Sequence, residues 1–179
     1  MRVSCRWLAR HVDLDGTTPE QLAELLTLHT CEVEGVERFA PHLDAVTVGH
    51  VLAREKHPDA DKLSVCRVTL GAGEPLQIVC GAPNVAAGQK VAVATVGTAL
   101  PGGLVIKQSK IRGVPSQGMI CSARELDLGD EHDGIWVLPE GAPVGEPVAR
   151  ALGLVDHVLV VGEWEEDERF DAEPHWRAI

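Results

Sequence analysis

Val46-Thr-Val-Gly-His-Val-Leu-Ala-Arg54 is the stretch on which the fold turns. Val46 and Val48 alternate with polar Thr47, the period of a strand with one buried face. Gly49 interrupts the row and marks a bend. Further segments of the same kind follow at residues 62–70, 76–80, 90–96 and 104–111. They are separated by turns such as Gly71-Ala-Gly-Glu-Pro75 and Thr98-Ala-Leu-Pro-Gly-Gly103. Ile135-Trp-Val-Leu138 is shorter and is expected to pack against the sheet. Many short strands with Gly/Pro turns over about 100 residues predict a small all-β barrel or sandwich. Five main strands and one brief helix favour an OB-like barrel over a seven-strand sandwich.

Ahead of this segment the pattern is different. Residues 3–12 read as a short helix capped by Ser4, with Trp7, Leu8 and Val12 on one face. Thr18-Pro19-Glu20-Gln21 is a helix start, with Thr at the N-cap, Pro at the first position and Gln placed to reach back. Leu22, Leu25 and Leu26 follow at helical spacing. Residues 31–39 alternate as a strand until Gly35 shifts the phase, as a bulge would. This unit of about 40 residues is too small to hold a core alone. After residue 150, a short helix at 147–153 ends on Gly153, and residues 158–161 form an apolar strand. That strand is expected to pair with residues 33–37. The expected organisation is therefore mainly β with an α/β appendage: an OB-fold barrel (44–150) inserted into a small α+β domain (1–43 and 151–179).

The charge is uneven. The whole chain carries −11, residues 44–150 only −2, and residues 151–179 carry −6. Such a balance disfavours non-specific nucleic-acid binding by the molecule as a whole. With two Phe and no Tyr, base-stacking platforms are few. Cys5, Cys31, Cys66, Cys80 and Cys121 are widely spaced, without a Cys-x-x-Cys, and neither His57 nor His132 has ligand spacing with them. Reduced thiols in a cytoplasmic protein are the expectation, with no metal and no cofactor. Arg2, Arg6 and Arg10 interrupt any leader-like apolar run, and no stretch approaches a membrane span. No nucleophile–base set, P-loop or paired acids is evident, so catalysis is not expected.

Within the near-neutral middle, Ile106-Lys-Gln-Ser-Lys-Ile-Arg-Gly-Val-Pro-Ser-Gln-Gly-Met-Ile-Cys-Ser122 holds a local basic cluster, Lys107, Lys110 and Arg112. Cations beside small, turn-forming and hydroxyl residues suit a phosphate backbone. Short Lys/Arg groups are also commonly plain surface. Met119 reads more readily as core than as contact. Ser122 reads as the cap of a brief helix over residues 123–126, and a helix N-terminus is itself an anion site. His57-Pro-Asp-Ala-Asp-Lys-Leu63 lies between the first two strands; its acids suit turn hydrogen bonds better than a cation.

Together, His57–Leu63, the Val-Cys-Gly-Ala-Pro-Asn84 segment, Pro101–Gly103 and the basic stretch resemble the EMAP-II-type tRNA-binding domain. The wording is most similar to its copy in the bacterial phenylalanyl-tRNA synthetase beta subunit. The likeness runs from Met1 to about Val161, roughly nine-tenths of the chain. It implies an OB barrel that binds tRNA by shape and backbone. It also implies contact residues Lys107, Lys110, Arg112, Ser116, Met119 and Ser122, with Lys62 and His57 in the first inter-strand loop. In that subunit the strand after the barrel leads into a Pro-Asn-Arg-Pro-Asp segment; here Val161 is followed by Gly-Glu-Trp-Glu-Glu-Asp-Glu-Arg. A stand-alone relative is the expectation, with tRNA as partner and a homodimer common among such relatives. The alternative is an assembly module that docks a protein through the acidic, Trp-bearing residues 163–179.

Overall fold

The computed structural model describes residues 1–130 and 133–162. Its elements, in chain order, are β1 (Arg2–Ser4), α1 (Cys5–Leu8), α2 (Pro19–His29), β2 (Val33–Arg38), β3 (Val46–Lys56), β4 (Ser64–Thr69), β5 (Leu76–Cys80), β6 (Lys90–Thr95), β7 (Ser109–Ile111), β8 (Val114–Ser116), β9 (Gly118–Ile120), β10 (Val137–Leu138), α3 (Val148–Ala151) and β11 (His157–Val161). The protein is mainly β. It divides into two compact units, one combining residues 1–39 with the segment from Asp156, the other spanning Ala40–Val155.

The first unit is a three-stranded antiparallel sheet in the order β1-β11-β2. β11 is the central strand: it pairs with β2 from His157↔Arg38 to Val161↔Val33, as the apolar run at its end predicts. The irregularity falls at Glu34, because Gly35 opposes Val160 and Val33 opposes Val161. The bulge is thus one residue earlier than Gly35. The expected helix at 3–12 is half strand. Arg2, Val3 and Ser4 pair with β11, and only Cys5–Leu8 is helical. Ser4 still caps, accepting from the Trp7 N–H at 2.9 Å. α2 carries the full capping box: Thr18 Oγ1 accepts from the Gln21 N–H, and Gln21 Oε1 accepts from the Thr18 N–H. Leu22, Leu159 and Val161 are the buried centre between helix and sheet.

The second unit is organised around β3. Its first half, Val46–His50, pairs with β6, and its second half, His50–Lys56, pairs with β4. Gly49 lets the neighbouring valines close over the strand: a Cβ there would lie 2.6 Å from Val93 Cγ2 and 2.8 Å from Val68 Cγ1. A bulge between Val51 and Ala53 then turns Leu52 outward, where it is exposed. β6 is buried on both faces. Val91 and Val93 pack with Val51, Cys66, Val68 and Ile78, while Ala92 and Ala94 pack with Val46, Val48, Leu126 and Val148. Burying each such valine contributes roughly 1.5–3 kcal/mol.

β5 pairs with β4 on one side. Its other edge is held by the segment after β8. The Gln117 N–H donates to Gln77 O at 2.8 Å, the Gln77 N–H to Gln117 Oε1 at 2.9 Å, and the Val79 N–H to Ser116 Oγ at 3.1 Å. β9 completes the run by pairing with β6, Val93↔Ile120 to Thr95↔Gly118. Gly118 is required there, because a Cβ would meet Ala94 O at 2.8 Å.

One expected strand is different. Residues 104–111 do not form a single strand beside β6; only Ser109–Ile111 is extended, and it pairs with β8. Gly102 and Gly103, both with positive φ, turn the chain at 101–103, and the single bridge Ala99↔Val105 closes that turn. The expected helix at 123–126 is a pair of tight turns instead, with Leu126 N–H bonded to Ala123 O and Asp127 N–H to Arg124 O. The acidic residues 163–179, which carry the expected protein-docking tail, lie outside the described residues.

Candidate nucleic-acid interface

The basic cluster sits on and beside a two-residue hairpin. Ile111 pairs with Val114, so Arg112-Gly113 is the whole loop. Both loop residues have positive φ, 49° and 83°, as the tightest hairpin turns demand. Glycine adopts this freely; for arginine it costs on the order of 1 kcal/mol. Arg112 therefore stands at the tip, while Lys110 and Lys107 are exposed along the same arm. Among the described residues none of the three forms an ion pair. Held cations without internal partners are what a phosphate ligand needs.

The hairpin is fastened by internal hydrogen bonds, among them those of His57 and Ser116, which the resemblance puts in the first inter-strand loop and among the contacts. His57 is 2% exposed. Its Nε2 lies 3.0 Å from Ile111 O, and its Nδ1 accepts from the Asp59 N–H at 3.1 Å. Those partners assign the neutral ring with the proton on Nε2, which donates to the carbonyl. Ser116 is 1% exposed; its hydroxyl accepts from the Val79 N–H and donates to Gly118 O. Gln77 Nε2 donates to Pro115 O at 2.9 Å. His57 and Ser116 thus hold the hairpin's two strands in place, and both side chains are spent on that task.

Ser122 is similarly engaged. Its N–H and hydroxyl both donate to Glu125 Oε2, at 2.7 and 2.9 Å, and its Oγ accepts from the Glu125 N–H at 3.3 Å. The anion position at the start of this turn is filled by the protein's own carboxylate. Met119 is half-buried on β9 and packs against the core that holds Ala92 and Ala94.

Beside the hairpin lies a groove of about 640 Å³, lined in part by Lys107, Ser109, Ser116, Met119 and Ser122. Gly81, Ala82 and Pro83 form its boundary with a second concavity of about 580 Å³, lined by Lys62, Arg54 and Lys56. Lys107 and Lys62 therefore address neighbouring hollows that share one wall. Lys110 and Arg112 stand on the hairpin but outside both linings. Lys56 is occupied with Asp61 at 2.7 Å, and Arg54 Nε donates to Ser64 Oγ at 2.9 Å. Asn84 clamps the backbone of the groove-lining Ile135: its Nδ2 donates to Ile135 O and its Oδ1 accepts from the Ile135 N–H. The close approach leaves no room for a Cβ at Gly134, which would sit 2.4 Å from the Asn84 amide.

Sequence reasoning missed the groove walls Leu104, Val105 and Ile111, the clamp Asn84 and the neighbouring cations Arg54 and Lys56. Leu104 and Val105 read as strand positions, so their exposure carried no signal. The partner of Asn84 is 51 residues away, beyond the reach of local sequence pattern.

The described residues contain no group of three or more His, Cys, Asp or Glu placed to hold a metal ion. No helix among them is long and apolar enough to cross a membrane. Burial pushes the Cys66 thiol up to about 11 and the Cys121 thiol to about 12, and it also raises buried Cys80 and half-buried Cys5.

A mainly β unit with a cationic hairpin over a groove defines a nucleic-acid-binding class of module, and residues 46–147 match the family described as "Putative tRNA binding domain". The chain belongs to that family. It is 55% identical over 154 residues to the phenylalanine–tRNA ligase beta subunit of Nitratidesulfovibrio vulgaris, covering 86% of this chain and 19% of that subunit. It is 51% identical over 168 residues to the same subunit of Bacillus licheniformis, covering 90% of this chain and 21% of the relative. The chain therefore spans about a fifth of the length of these relatives. Among solved structures, a MetRS-related protein from Pyrococcus horikoshii is 28% identical, with a TM-score of 0.44, over 57% of this chain and 87% of that one.

Proposed function

We propose that the Ala40–Val155 unit is an OB-type barrel and that it binds tRNA through phosphate contacts from Lys107, Lys110 and Arg112. The return of the strand run from β5 through Gln117 to β9 and β6 supports a closed barrel. The observation that carries the binding reading is the hairpin. It holds Lys110 and Arg112 without internal partners, beside a groove that Lys107 lines, in a chain of the tRNA-binding family. Lys62 extends the cationic edge across the shared Gly81–Pro83 wall. His57 and Ser116 serve the site as positioning residues, not contacts, because their polar atoms are bonded internally. Ser122 and Met119 shape the groove.

Recognition on this basis reads RNA backbone and shape, and the cytoplasm is the compartment it implies. The net charge of −11 makes the local geometry decisive: only a contact confined to the cationic edge escapes the repulsion of the rest of the surface. A filter-binding titration with bulk tRNA tests it. Affinity should fall steeply as salt rises, since each phosphate contact releases counterions. Absence of binding at low salt overturns the reading.

A further inference from the structure

A surface built for phosphate alone needs cations and polar groups. The groove beside the hairpin has aliphatic walls instead. Leu104 and Val105 are 50% and 45% exposed and line it, Ile111 and Met119 are half-buried along it, and Ile135 lies buried at its base. Exposed aliphatic side chains gathered along a concave surface mark a binding site. The charges around them are sorted. Lys107 lines the groove, and Lys110 and Arg112 stand on the adjacent hairpin. Glu125, held by Ser122, and Asp133 contribute carboxylates to the lining. Carboxylates repel phosphate and accept from the amino groups of bases.

We propose that this groove receives unpaired nucleotides. The phosphates lie along Lys107, Lys110 and Arg112, and the bases lie against Leu104, Val105 and Met119, with Glu125 as acceptor for a base amino group. The ligand is then an RNA that presents an accessible single-stranded segment, and duplex backbone alone does not satisfy the site. Bases in a duplex keep their faces stacked and cannot meet an aliphatic wall. Among the described residues no aromatic lines the groove, so sequence preference is weak and each base contributes less than it does on an aromatic platform. The inference rests on the RNA-binding reading above and narrows its ligand.

The test uses the full chain and bulk tRNA, displaced by two competitors compared at equal phosphate concentration: a mixed-sequence RNA single strand of roughly eight nucleotides and a blunt RNA duplex with no loop. The single strand should compete at roughly tenfold lower concentration. The double variant Leu104→Ser/Val105→Ser, at exposed positions, should keep its melting temperature and lose affinity by roughly five- to tenfold, with the salt slope unchanged because no phosphate contact is removed. Equal competition by the loop-free duplex overturns the proposal, as does wild-type affinity in the double variant. Failure of tRNA itself to bind at low salt overturns the RNA-binding reading as well. Binding of tRNA with equal competition overturns the nucleotide groove alone.

Discussion

Strand β6 buries Val91, Ala92, Val93 and Ala94 on both faces, whereas the β7–β8 hairpin leaves Ser109, Lys110, Arg112, Gly113 and Pro115 in solvent. The two lie in one unit and are held by different forces. β6 is fixed by ladders to β3, β9 and β10 and by two apolar clusters. The hairpin is fixed by its own ladder and by side-chain hydrogen bonds from His57 and Gln77. Stability resides in the first, and the proposed ligand contact in the second. Substitutions should therefore separate the two properties.

The largest effect on stability should come from alkaline pH. The Cys66 and Cys121 thiols are held by burial above their ordinary value of 9.0, at about 11 and about 12. A raised folded-state value favours the neutral form, so the native state is fully stabilised below pH 9. It loses stability as pH rises from 9 towards 12, because the unfolded chain releases those protons first. Each thiol contributes about 1.4 kcal/mol per pH unit in that window. Denaturant melts at pH 8 and pH 10.5 should differ accordingly, and Cys66→Ala/Cys121→Ala should flatten the difference. Next, Val93→Ala on β6 should cost about 2 kcal/mol through lost burial and a cavity, read as a lower denaturant midpoint, with tRNA affinity unchanged well below the melting temperature.

His57→Ala tests the join between the two regions. It strands the Ile111 carbonyl and the Asp59 N–H, which should cost about 1–3 kcal/mol. Because the hairpin loses an anchor, tRNA affinity should fall too, although both His57 ring nitrogens are bonded internally. An alanine variant that loses stability while binding as tightly as wild type would remove His57 from the positioning role.

The difference between the regions also explains what the sequence disclosed. β5 was legible to the residue at Leu76–Cys80, a short apolar run bounded by Gly/Pro turns, and β6 to within one, from its alternating valines and alanines. Thr18 and Gln21 announced α2 because capping is local chemistry. β8 and β9 were not legible. Their three-residue lengths leave no period, and an Arg-Gly loop lacks the Asn-Gly signal of a tight hairpin. β1 was read as helix because Trp7 and Leu8 carry helical spacing, while its strand character comes from β11, more than 150 residues away. At the site, the cations were legible as a cluster. The burial of His57 and Ser116 was not, since it depends on Ile111, Val79 and Gly118, partners supplied by the fold.

The smallest stability effect belongs to the hairpin cations, and it comes with the decisive effect on binding. The triple variant Lys107→Ala/Lys110→Ala/Arg112→Ala should keep its unfolding free energy within about 0.5 kcal/mol. The direct measurement is the salt dependence of its tRNA affinity beside that of the wild type. The account predicts weaker binding at every salt concentration and a log–log slope shallower by about three units, one for each phosphate contact removed. An unchanged slope and affinity in a fully folded triple variant would contradict it.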